Sequence, residues 1–183
     1  GYIDMLGDDV NGQSFNLGLV SNNFFTNTRL RIVKCSSLNF VNNTFEVKPV
    51  GDFTGFTEAV NPATPALVYM NGVHDIYWTN NHVLGPDTVN SFIETGLWIE
   101  AVASQLQQDE NGNTIPVSEV RNIYITGGSV KKFPYGLRVA NSPSPVYDFV
   151  VENWIIKDVL FESYADETYT GQGRCLGVPA GAY

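Results

Sequence analysis

One eight-residue phrase recurs along this chain and constrains its fold more than any other feature. Residues 17–24 read LGLVSNNF, 38–45 read LNFVNNTF, 76–83 read IYWTNNHV, 123–130 read IYITGGSV and 149–156 read FVVENWII. The first, third and eighth positions of each copy are apolar, and apolar side chains two apart line one face of a strand. The fifth and sixth positions are Ser21/Asn22, Asn42/Asn43, Asn80/Asn81, Gly127/Gly128 and Asn153/Trp154. Asn and Gly accept the left-handed backbone that other residues avoid, so the chain is expected to turn a corner there. A strand and a corner repeated at intervals of tens of residues mark a solenoid.

A second apolar alternation precedes most copies: Ile3-Asp4-Met5, Leu30-Arg31-Ile32, Leu67-Val68-Tyr69, Leu97-Trp98-Ile99, Leu137-Arg138-Val139 and, at the end, Leu176-Gly177-Val178. Each coil then holds a strand, a bend, a second strand, the Asn/Gly corner and a short third strand. Stacked coils bury Leu, Ile, Val, Phe and Met along one cylinder, and asparagines at one corner can form a ladder of amide hydrogen bonds. This pattern resembles the right-handed parallel β-helix of the pectate-lyase-like superfamily over nearly the whole chain. The expected fold is all-β: a right-handed parallel β-helix (solenoid) of about five to six coils, one domain over residues 1–183.

Composition agrees. Hydrophobic residues make up 43% and aromatic residues 13%, enough for a long core, while charged residues are only 16%. A formal net charge of −9 leaves no basic stripe to neutralise phosphates, so nucleic acid is not an expected partner. An anionic membrane surface is equally unfavourable, and there is no apolar run of membrane-spanning length and no signal peptide. The chain begins inside a strand-like pattern and has no visible cap at either end. It reads as a section of a longer polypeptide, or as one whose ends partners cover. Cys35 and Cys175 fall several coils apart, beyond disulfide reach, and read as free thiols.

Two segments interrupt the coils. Residues 49–65 are rich in Gly, Pro and Thr and read as a surface loop. Residues 103–117 carry Asn111-Gly112 between Leu106 and Ile115, the signal of a protruding β-hairpin. Phe92, Ile93, Leu97, Trp98, Ala101, Val102 and Leu106 also fit a helical face, but Gly96 and Trp98-Ile99 favour strand.

The chemistry must lie on outward side chains. Gly7-Asp8-Asp9 follows the first strand, and paired carboxylates suit inverting glycoside hydrolysis, one protonating the leaving oxygen and another activating water. Here the chain resembles polygalacturonase-type hydrolases, which carry Gly-Asp-Asp, Gly-His-Gly and Arg-Ile-Lys motifs. Gly7-Asp8-Asp9 matches the first and Gly136-Leu137-Arg138-Val139 looks like the third, with Arg31-Ile32-Val33-Lys34 a second candidate. Gly-His-Gly is absent. The resemblance implies catalytic roles for Asp8 and Asp9, with Asp4 as a third carboxylate. The same Asp-Asn-Gly run also fits a solvated turn.

Reading the coils in register sets Asp4, Arg31, Val68, Trp98, Arg138 and Gly177 in one outward row, with Glu100 and Met70 beside it. Arginines, carboxylates and an exposed indole in line suit a polysaccharide groove, as do outward Tyr77 and Tyr124. An ordinary ion pair between Arg31 and Asp4, with Trp98 covered by the hairpin, is the alternative. His74-Asp75 is the one adjacent His–carboxylate pair. No His/Cys/Asp cluster has metal spacing, and no cofactor motif is present.

Two function classes follow. The first is a glycan-cleaving hydrolase or lyase, similar to bacteriophage tailspike depolymerases. The second is a non-catalytic shaft or adhesin that binds polysaccharide. Either implies an extracellular, secreted or virion-surface protein, with a homotrimer or the rest of a longer chain covering its ends.

Overall fold

A computed structural model describes residues 2–7, 15–48, 66–86, 93–101, 106–108, 114–116, 119–141, 150–163 and 174–177. In chain order the strands are β1 (Tyr2–Leu6), β2 (Phe15–Ser21), β3 (Phe24–Thr26), β4 (Arg29–Val33), β5 (Cys35–Val41) and β6 (Thr44–Glu46). They continue with β7 (Ala66–Asn71), β8 (His74–Thr79), β9 (His82–Leu84), β10 (Thr95–Ala101), β11 (Leu106–Gln108) and β12 (Thr114–Pro116). The last six are β13 (Glu119–Thr126), β14 (Ser129–Phe133), β15 (Tyr135–Asn141), β16 (Val150–Lys157), β17 (Leu160–Ser163) and β18 (Arg174–Gly177). No helix occurs among the described residues, and of the stretch that also fitted a helical face, Thr95–Ala101 is strand β10.

Three parallel sheets take these strands in turn. The first is ordered β1-β4-β7-β10-β15-β18, the second β16-β13-β8-β5-β2 and the third β17-β14-β9-β6-β3. From β4 to β5 to β6 and on to β7, the chain passes through each sheet and returns to the first, which is the path of a parallel solenoid. β11 and β12 pair antiparallel, with Leu106 opposite Pro116. The turn between them, the loop at 49–65, and Asp8 and Asp9 lie outside the described residues.

The register corrects two copies of the repeat. Gly18 and Val20 face Leu38 and Phe40, and Phe25 faces Phe45, so the first copy runs one residue later than its apolar pattern suggested. Leu19 and Phe24 consequently point outward, 69% and 60% exposed. Adjacent Phe24-Phe25 offers two apolar frames, and only pairing with the next coil selects one. The fifth copy shifts further: Trp154 and Ile156 face Ile123 and Ile125, and Phe161 faces Val130. Its corner residue is Asp158, at φ 56°, rather than Asn153.

Each corner divides its work between two residues. Asn22, Asn42, Asn80 and Gly127 take φ between 51° and 65° and turn the chain. The following residues, Asn23, Asn43 and Asn81, form the ladder. Asn81 Oδ1 accepts from the Asn43 backbone N–H (2.8 Å) and from Asn43 Nδ2 (2.9 Å), while Asn81 Nδ2 donates to the Phe40 carbonyl (2.7 Å). Asn43 repeats this toward Asn23 and Val20. The ladder stops at Gly128, where a Cβ would stand 2.1 Å from the Asn81 carbonyl oxygen. A second left-handed column, Ser37, Asp75, Asn122 and Asn153, bends the strands of the second sheet. It too is cross-linked: Asn122 Nδ2 donates to Asp75 Oδ1 (2.6 Å), and Asn153 Nδ2 to Asn122 Oδ1 (3.1 Å).

Inside, Leu30, Val68, Leu97 and Leu137 stack in one file, with Ile32, Met70, Ile99 and Val139 in the next. Phe25, Phe45 and Trp78 stack behind the Asn corner at centroid distances of 4.7 and 5.6 Å. Cys35 is a buried free thiol, donating to the Met5 and Val33 carbonyls, and burial pushes its pKa up.

Asn81→Leu is expected to cost roughly 2–4 kcal/mol, because the Asn43 amide and the Phe40 carbonyl both lose buried partners. Exposed Asn42→Ala is expected to cost about 1–2 kcal/mol, from the left-handed penalty and one exposed hydrogen bond to Asn22 Oδ1. Denaturant unfolding of the two variants checks this, and equal losses would contradict a buried ladder.

Candidate functional site

The outer face of the first sheet carries the densest polar chemistry among the described residues. Cross-strand pairing sets Asp4, Arg31, Tyr69, Trp98, Arg138 and Gly177 in one row. The next outward row is Leu6, Val33, Asn71 and Glu100. This corrects β7: Val68 and Met70 are core, and Tyr69 takes the outward position expected for Val68. Ala66, Leu67 and Val68 are all buried, so apolarity alone could not fix the frame there.

Arg31 grips Asp4 with two parallel bonds, Nε to Oδ1 at 3.0 Å and Nη2 to Oδ2 at 2.9 Å. This bidentate pair satisfies both carboxylate oxygens. Further along, Asn71 Nδ2 donates to the Tyr69 hydroxyl (2.9 Å), which donates to Glu100 Oε2 (2.8 Å). Burial raises the Glu100 pKa, against the Tyr69 hydrogen bond and the Arg138 charge, which both lower it. Burial, followed by the neighbouring Glu100 charge, also pushes the Tyr69 phenol up.

Trp98 lies in the outward row but is only 5% exposed, so the expected open stacking platform is instead a buried indole. The Arg138 guanidinium sits 4.1 Å from its ring centroid and 5.9 Å from that of Tyr135. Trp98 Nε1 and Asn71 Oδ1 are buried without a hydrogen-bond partner among the described residues.

The sequence candidates are only partly brought together. Arg31, Trp98, Glu100 and Arg138 share this face with Asp4. Tyr77 and Tyr124 do not: they lie on the second sheet, in a row with Leu19, Asn39 and Ile155. Their rings stack on each other at 4.9 Å and 12°, which occupies faces that a sugar would need. Gly7 has a structural reason of its own, since a Cβ there would meet the Lys34 carbonyl oxygen at 2.0 Å. Tyr69 and Asn71 were missed, and the signal lay in reading β7 from its partner Arg31 rather than from its own apolar run.

On the second sheet, His74 Nδ1 lies 2.8 Å from Asp75 Oδ2. That bond and the one from Asn122 hold the Asp75 carboxyl below its ordinary range. Among the described residues, no group of three or more His, Cys, Asp or Glu could hold a metal ion. No family model matches the sequence, and neither curated proteins nor solved structures give a match.

Trp98→Ala is expected to destabilise by about 3–5 kcal/mol through the cavity it opens. Arg31→Ala is expected to cost less than about 1 kcal/mol, because both partners of its ion pair are over one-third exposed at 34% and 40%. Thermal or denaturant melts separate the two, and a neutral Trp98→Ala would mean that the indole is not packed.

Proposed function

We propose that this chain is a carbohydrate-active, right-handed β-helix protein of the pectate-lyase-like type. It holds a polysaccharide along the outer face of the first sheet and cleaves it by carboxylate acid/base hydrolysis. The observation that carries the reading is the single outward file of Arg31, Tyr69, Trp98 and Arg138, with Glu100 beside it, running across strands β4, β7, β10 and β15. Sugars are recognised by planar hydrogen-bonding groups and aromatic surfaces. The file offers a guanidinium laid on an indole, a phenol and a carboxyl within one continuous strip. In this reading the helix has five to six coils in one domain, and the hairpin near residues 103–117 forms a wall of the groove. The protein works outside the cell or on a virion surface, as a homotrimer or as part of a longer chain.

Asp8 and Asp9, which follow β1 in sequence, and Asp4 are the carboxylates that the Gly-Asp-Asp resemblance offers for this chemistry. One observation favours a second reading, a non-catalytic polysaccharide-binding shaft: both Asp4 oxygens are already taken by Arg31.

Reducing ends released from a panel of bacterial and plant polysaccharides, with absorbance of unsaturated products followed in parallel, test the proposal. New reducing ends without unsaturation are expected. Unsaturated products would make it a lyase, and binding without cleavage would leave the shaft. Arg138→Ala is expected to weaken oligosaccharide affinity about tenfold, near 1.4 kcal/mol. Unchanged affinity in a titration would remove this face from binding.

A further inference from the structure

Asp4 and Glu100 stand on β1 and β10, three strands apart in the first sheet. At about 4.8 Å per strand that is roughly 14 Å. An inverting acid and base work at roughly 6.5–9.5 Å, so these two carboxylates cannot serve one scissile bond. Asp4 is also committed to Arg31 through both oxygens. Glu100 differs on each count. It is half-buried, one of its oxygens is fixed by Tyr69, and the other has no hydrogen-bond partner among the described residues.

The fixed oxygen is held by a directed chain. Asn71 Nδ2 donates to the Tyr69 oxygen, so the phenol turns its own hydrogen toward Glu100 Oε2. An acid proton on Glu100 is thereby left to Oε1. The Arg138 guanidinium, on the adjoining strand, sits 4.1 Å from the Trp98 ring centroid and acts on Glu100 only through its charge. A charge-paired carboxylate is a poor acid, whereas burial raises the Glu100 pKa against the opposing Tyr69 hydrogen bond and Arg138 charge.

We propose that Glu100 is the acid/base residue of the glycan site and that Tyr69, oriented by Asn71, is its positioning residue. This rests on the hydrolytic reading above. Glu100 Oε1 gives its proton to the glycosidic oxygen as the bond from that oxygen to the anomeric carbon breaks, and the bonding pair stays on the leaving oxygen. Water then bonds to the anomeric carbon and returns one proton to the Glu100 carboxylate. One glycosidic bond is hydrolysed, one water is consumed and the residue is restored. Burial, which lifts the Glu100 pKa, suits the first step.

The experiment compares the pH dependence of kcat for the wild-type chain, Glu100→Gln, Tyr69→Phe and the pair Asp8→Asn and Asp9→Asn, on whichever polysaccharide the wild type cleaves. Glu100→Gln is expected to lose about 10²-fold or more in kcat, with a smaller change in KM. The acid must be protonated, so wild-type kcat falls as pH rises through the Glu100 pKa. Tyr69 stabilises the charged form, and Tyr69→Phe is therefore expected to move that falling limb to higher pH, a shift that the lost acceptor of buried Asn71, which lowers the melting temperature, would not produce. Carbon-13 titration of the Glu100 carboxyl in the wild type, which needs no variant to fold, is expected to show a midpoint above the ordinary glutamate range. Full activity in Glu100→Gln, or loss confined to the Asp8 and Asp9 variants, would overturn this assignment and leave hydrolysis standing. A wild type that cleaves nothing would overturn both.

Discussion

In-register parallel pairing is the constraint on which everything else depends. Each residue sits above its counterpart one coil away, so the apolar files of the core and the left-handed corner residues Asn22, Asn42, Asn80 and Gly127 line up from coil to coil. The Asn corner makes this register specific. A slip by one residue would place Asn43 opposite Asn80 or His82 and leave the Phe40 carbonyl and two buried amides without partners. The same corner is sewn by backbone bonds, from Thr44 to Asn23, His82 to Asn43, Ser129 to Asn81 and Leu160 to Gly128. Gly128 completes it by giving up a side chain where none fits.

Once register is fixed, chemistry on the outside is arranged for free. Residues far apart in sequence come into one file without any local motif, as Asp4, Arg31, Tyr69, Trp98 and Arg138 do. Within that file neighbours satisfy each other in different ways. Arg31 and Asp4 neutralise one another as an exposed ion pair, Tyr69 and Glu100 share a hydrogen bond, and Arg138 rests on an aromatic face. The strip is thus nearly neutral on a chain of net charge −9. Hydrogen bonding and aromatic contact, rather than long-range attraction, would govern what it holds.

Much of the fold was legible because period-two apolarity and recurrent Asn are both local signals. The frame was wrong where those signals are degenerate: at Phe24-Phe25, at Ala66-Leu67-Val68, and at Asn153, whose left-handed backbone belongs to a second bend rather than the corner. That second bend was invisible because Ser37, Asp75 and Asn122 share conformation but not residue type. Of the outer face of the first sheet, the placement of Arg31, Glu100 and Arg138 was legible from register. Tyr69 and Asn71 were lost through the one-residue error in β7, and the burial of Trp98 depends on three-dimensional packing that no alternation encodes. Gly7 of the Gly-Asp-Asp run is explained by its close backbone approach to Lys34, without any catalytic role. Asp8 and Asp9 are left to the functional proposal.

A crystal structure with an oligosaccharide bound tests whether a polysaccharide lies across the first sheet, as proposed. Sugar density is expected to cross β4, β7, β10 and β15, with contacts to Tyr69, Glu100 and Arg138. Sugar seated on the second sheet beside Tyr77 and Tyr124, with the first sheet bare, would contradict it.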